Sequence, residues 1–171
     1  MEGLTMSIWT LGLLIAVALA FDFMNGFHDG ANSISTIVAT GALTPKQAVL
    51  FAAFFNFAAL WIFQLKVAAT NGKGTVDPKF VDYYVIFGAL IGALAWNIIT
   101  WYYGIPSSSS HALVGGLVGA TVFKSGTGDA IIWEGFGKIL AFIIISPLVG
   151  MLIGGLLMVL VAWIFKNKSQ Y

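Results

Sequence analysis

Cysteine is absent, and so is arginine: all eight basic residues of the 171 are lysines. Without cysteine there are no disulfides, thiolate metal sites or cysteine nucleophiles. Every lysine falls near a predicted helix end or in a loop, so the interior of the chain offers an anion no side-chain cation. Charge of either sign is scarce, at 9% of residues with a net +1, which gives no footprint for nucleic acid or for a polybasic lipid patch. The N-terminus, MEGLTMSIWT, lacks the basic region of a cleavable signal, and no small-residue cleavage pattern precedes Asp22, so it reads as part of the first span.

What is abundant is apolar. Hydrophobic residues make up 59% of the chain and the mean hydropathy is +0.93. Several apolar runs approach or exceed the roughly 20 residues that cross hydrocarbon, so helices rather than barrel strands are the spanning elements. The expected fold is all-α: a polytopic transmembrane helical protein with interrupted or re-entrant half-helices. Residues 1–171 are expected to form a single transmembrane domain with about four full spans.

Its first element is an interrupted helix over 6–43, with the break at Gly26 and Gly30, because glycine permits non-helical dihedrals. Spans follow at about 48–69 and 84–103, the latter carrying Asn97 and ending in Trp101, Tyr102 and Tyr103. The Gly-Ile-Pro-Ser segment at Gly104 opens a half-helix over 106–123, too short to cross a bilayer. A last span covers 139–165, bent or broken at Ser146-Pro147. Gly88 with Gly92 and Gly115 with Gly119 have the spacing of close helix packing.

Into this apolar background Asp22 to Thr36, DFMNGFHDGANSIST, places two carboxylates, two carboxamides and an imidazole. One ionised Asp at a bilayer centre costs roughly 2.5–3.5 kcal/mol on insertion scales, so such residues line bundle interiors, aqueous cavities or substrate paths. Asp22, Asn25, Asp29 and Asn32 are spaced three, four and three apart, and a continuous helix would align them on one face. Their hard oxygens suit Na⁺, or proton exchange at an Asp, as cation-binding groups. The bland reading is a polar seam between helices with no ligand. His28 lies about 100° from Asp29 around a helix and has either an interface role or an accessory one. A metal site from His28, His111 and the two Asp would lack the i, i+4 His pair of helical zinc sites, so no metal beyond Na⁺ is expected.

The second polar feature is PSSSSH. Ser107, Ser108, Ser109 and Ser110 bring four hydroxyls to a helix N-terminus, where backbone N–H groups and the helix dipole favour an anion. One serine suffices to cap a helix, so a run of four exceeds what capping needs. Ser107 and His111 are i, i+4, which raises an intramembrane serine hydrolase as a rival, but no GxSxG elbow accompanies them. An oxyanion held in a chain without interior cations must be balanced by dipoles, hydroxyls and co-bound cations. Cation-coupled anion transport follows, with no enzymatic activity and no cofactor beyond the coupling ion, Na⁺ or H⁺.

At these two motifs the sequence resembles the inorganic phosphate transporter (PiT) family of cation–phosphate symporters. GFHDGANSIST from Gly26 to Thr36 is similar to the first family signature in its bacterial form, and GIPSSSSHALVGG from Gly104 to Gly116 to the second. The resemblance covers essentially the whole chain and implies inorganic phosphate as substrate. It implies Ser107 to Ser110, with Asn25 and Asn32, as phosphate-binding, and Asp22, Asn25, Asp29 and Asn32 as cation-binding. His111, like His28, is left an accessory role. It also implies a multi-pass protein of the plasma membrane, the bacterial inner membrane.

Family members resemble two inverted repeats with both signatures in each, whereas this chain has one copy of each. It is therefore expected to be one transporter repeat that works with a second, either as a homodimer partner or as a separate half, around a shared midplane site. The alternatives are a transporter of sulfate or another oxyanion, and a non-transporting assembly or regulatory subunit.

Overall fold

Two turns built on left-handed glycines set where the helices stop. In the computed structural model, which describes residues 7–63 and 74–166, five helices follow one another without any strand among the described residues. Helix α1 spans Ile8–Ala39, α2 Pro45–Phe63, α3 Tyr83–Tyr102, α4 Ser109–Ser125 and α5 Trp133–Phe165. Gly41 ends α1 at φ 72°, with Gly41 N donating to Val38 O and Ala42 N to Ile37 O. Gly104 ends α3 in the same way at φ 65°, with Gly104 N bound to Trp101 O and Ile105 N to Thr100 O. Both are Schellman turns, which satisfy carbonyls that the helix itself leaves unpaired.

The helix starts are equally local. Ser7 accepts from Trp9 N at the head of α1. Thr44 and Gln47 form a reciprocal capping box around Pro45, and Asp82 accepts from Val85 N at 3.0 Å to start α3.

Helices α3 and α4 are antiparallel. Trp96 meets Ser107, Ala89 backs onto Gly116 and Asp82 pairs with Lys124, so the two helices run past one another in register. A Cβ on Gly116 would sit 2.5 Å from the Ala89 carbonyl oxygen, so the close approach requires glycine there. Beyond their far ends, a bridge between Val76 and Ile131 and bonds from Asp77 N to Ala130 O and Ile132 N to Thr75 O tie the loop before α3 to the loop after α4. Helix α1 runs parallel to α3: Phe21 packs with Leu90 and Ala93, and His28 meets Thr100. This small core lies in an otherwise apolar exterior suited to lipid.

Several expectations change. Helix α1 is continuous through Gly26 and Gly30, neither of which has positive φ, so the interrupted helix over 6–43 is replaced by one of 32 residues. Glycine costs a helix only about 1 kcal/mol relative to alanine, whereas a break in hydrocarbon strips hydrogen bonds from several backbone groups at several kcal/mol each. The half-helix α4 starts at Ser109 rather than near 106, because Ser108 takes the N-cap. Helix α5 begins at Trp133 instead of 139 and continues through Pro147. Among the described residues three helices, α1, α3 and α5, are long and apolar enough to cross a membrane. The expected end of the second span, 64–69 with Lys66, lies outside the described residues. By packing, the chain gathers into two compact units, Met1–Ile132 and Trp133–Tyr171. All of the site described next is in the first.

Candidate functional site

The site forms where α1, α3 and α4 meet, one helical turn from the Phe21–Ala93 contact. From α1 come Asn25 and Asp29, four residues apart and therefore on one face. From α4 comes Ser109, the first residue of the helix, 3% exposed. Its hydroxyl lies 2.8 Å from Asp29 Oδ2 and also against Asn25 Oδ1. The two polar motifs of the sequence are thus in direct contact.

The proton count in this cluster is unusual. Asn25 Oδ1 and Asp29 Oδ2 are both acceptors, and the single hydroxyl proton of Ser109 serves one of them at a time. Three oxygens therefore converge with one proton among them, an arrangement that favours an added positive charge. Asp29 keeps 40% of its side chain exposed, which leaves an approach to the cluster.

Around it, the four serines are not equivalent. Ser108 caps α4, accepting from His111 N at 3.4 Å. Ser107 accepts from the Trp96 indole N–H at 3.1 Å and not from His111. Ser110 is exposed. Trp96, Ser107 and the exposed His111 line a groove of about 420 Å³ floored by Gly115 and Gly116. The first amides of α4 lack intrahelical carbonyls and lie beside these hydroxyls.

Asp22 and Asn32 are not brought into the cluster. Both are exposed on α1, and neither side chain makes a hydrogen bond among the described residues. They extend the α1 stripe one turn beyond Asn25 and Asp29 on either side. His28 is 8% exposed, with Nε2 3.4 Å from Thr100 Oγ1 and Nδ1 3.7 Å from Asp29 Oδ1. It is a strut between α1 and α3 that also touches the site. It does not join His111, and no cluster of three His, Cys, Asp or Glu residues exists among the described residues.

Three residues of α3 near the site were given no role from the sequence: Asn97, Thr100 and Trp96. Asn97 is 0% exposed, and neither its Oδ1 nor its Nδ2 has a hydrogen-bond partner among the described residues. Thr100, 1% exposed, also donates to the Trp96 carbonyl at 2.9 Å. The available signal was the i, i+3 pair of polar residues inside an apolar span.

Several known proteins are similar to this chain. A probable low-affinity inorganic phosphate transporter of Rhizobium meliloti (strain 1021) is 54% identical over 92% of this chain and 47% of its own length. Another of that description, from Streptomyces halstedii, is 44% identical over 96% of this chain and 76% of its own. Among solved structures, one described as the sodium-dependent phosphate transporter superimposes with a TM-score of 0.83 and 30% identity, covering 95% of this chain and 42% of that one. The chain thus spans about half the length of the first of these relatives. Residues 25–171 match the model of the Phosphate transporter family, and the chain belongs to that family.

Proposed function

We propose that this chain is one half of a cation-coupled inorganic phosphate symporter of the bacterial inner membrane. The observation that carries the reading is the contact of Ser109 with both Asn25 and Asp29, which joins the anion-suited end of α4 to the carboxylate stripe of α1. Phosphate as the substrate is supported by the similarity to proteins described as phosphate transporters.

The cluster suggests how the two cargoes are linked. A cation, Na⁺ or H⁺, among Asn25 Oδ1, Asp29 Oδ2 and Ser109 Oγ satisfies the acceptors that compete for the Ser109 proton. With the oxygen lone pairs turned to the cation, the O–H turns away from it. It then donates to a phosphate oxygen beside the hydroxyls and free amides of the α4 N-terminus, where the helix dipole favours negative charge. Cation binding therefore prepares the anion site, and the anion in turn neutralises the added charge. A second repeat, supplied by another copy or by a separate segment, completes the pathway, and rocking of one repeat against the other exposes the site alternately.

The test is phosphate uptake by the assembled transporter in liposomes under imposed Na⁺ or H⁺ gradients. Uptake is expected to require one of the two gradients and to collapse in Asp29→Asn. Gradient-independent uptake rejects symport, and equal competition by excess sulfate rejects phosphate selectivity.

A further inference from the structure

Asn97 is the buried polar group that the site described so far leaves unused. Its carboxamide is fully buried, and both its acceptor and its donor atoms are without partners among the described residues. Buried amides without partners are rare, because the lost hydration is not replaced.

Its position follows from the pairing of the helices. On the α1 side, Phe21 packs with Ala93 and His28 meets Thr100, two pairs with the same separation in sequence. That separation carries Asn25 to Asn97. On the α4 side, the antiparallel series runs from Asp82–Lys124 through Ala89–Gly116 to Trp96–Ser107. It brings Trp96, the neighbour of Asn97, to Ser107, two residues before Ser109. Within α3, Asn97 is four residues after Ala93 and three before Thr100, both buried towards α1. A fully buried, unpartnered carboxamide therefore lies at the level of a cluster of three oxygens that is short of positive charge.

We infer that Asn97 is a further ligand of the coupling cation, its Oδ1 completing the set formed by Asn25, Asp29 and Ser109, and that it tunes the site towards an alkali cation. The inference rests on the symport reading above. A neutral amide oxygen stabilises Na⁺ by coordination but does not carry a proton at neutral pH, so it favours the metal ion over H⁺. The amide N–H groups remain available to donate, which no carboxylate at this position would allow.

The test uses the complete transporter in liposomes, with phosphate uptake followed as Na⁺ replaces K⁺, and Na⁺-induced thermal stabilisation of the purified protein without phosphate. In Asn97→Ala the Na⁺ concentration for half-maximal uptake is expected to rise at least tenfold, the deficit shrinking as Na⁺ is raised, and the Na⁺ stabilisation to be lost. If Asn97→Ala is not recovered folded, Asn97→Ser, which keeps a shorter oxygen ligand, is expected to show a smaller shift in the same direction. An unchanged Na⁺ half-saturation overturns the inference, as does a uniform loss at every Na⁺ concentration with Na⁺ stabilisation retained, the behaviour of an amide that only binds an internal water. Wild-type uptake driven by a proton gradient without Na⁺ would leave symport standing and remove the role of Asn97. Uptake needing neither gradient would remove both.

Discussion

Ser109 Oγ lies 2.8 Å from Asp29 Oδ2, joining residues 80 positions apart in sequence and the two polar motifs of the chain. A hydrogen bond to a charged group contributes about 1.5–3 kcal/mol, so its removal is felt by whatever the cluster binds. Ser109→Ala is expected to lower phosphate uptake at limiting cation by roughly tenfold or more. Ser110→Ala, at an exposed hydroxyl without a partner among the described residues, is expected to stay within about twofold, because it removes no buried hydrogen bond. Uptake rates of the two variants in liposomes check this, and equal losses would mean the serines act interchangeably.

The close approach of α4 to α3 makes a second contrast. Gly116→Ala would place a methyl 2.5 Å from the Ala89 carbonyl oxygen, with backbone on both sides and no flexible side chain to yield. Overpacking of this kind costs about 1–3 kcal/mol. Gly119→Ala meets nothing within 4 Å and is expected to be neutral or slightly stabilising, as alanine favours helix. Thermal unfolding in detergent separates the two.

The strut between α1 and α3 is measurable as a coupling. Thr100→Val and His28→Ala are each expected to destabilise the protein. Their double variant should be less impaired than the sum, by about 0.5–1 kcal/mol for the shared hydrogen bond. Strict additivity would show that the contact at 3.4 Å carries no energy.

At the other end of α3, outside the spans, Asp82 caps the helix and pairs with Lys124 at 2.8 Å. The hydrogen bond from Lys124 holds the Asp82 carboxyl below its ordinary value of 3.8. A carboxyl lowered in the folded state contributes stability above its ordinary pKa and loses it as the pH falls through the folded value. The stability gap between wild type and Asp82→Asn should therefore be full near about pH 7 and close towards about pH 3. Asp82→Ala should cost about 1 kcal/mol more than Asp82→Asn, because asparagine still caps the helix. Melting curves across that range test both statements.

Much of this arrangement could be read from residue order. The spacing of Asn25 and Asp29 dictated a shared face, and the serine run before an apolar segment dictated a short helix start. What stayed hidden depended on pairing between helices. The glycines at 26 and 30 suggested a break, but intrahelical hydrogen bonds in an apolar setting outweigh glycine's small helix penalty. Which serine faces α1 is fixed by where α4 begins, and a shift of one residue turns a helix by about 100°. Asn97 and Thr100 gained meaning only once the offset between α1 and α3 was known, since no local pattern says what an isolated carboxamide faces.

The indole of Trp96, tied to Ser107 by its N–H, has a further consequence. Indole emission responds to loss of a hydrogen bond at that nitrogen, and Ser107 stands at the entrance to the hydroxyl run. A protein whose other five tryptophans are replaced by phenylalanine would carry one native fluorophore at that entrance. Its colour would register the moment the serine turns from the ring to an arriving anion.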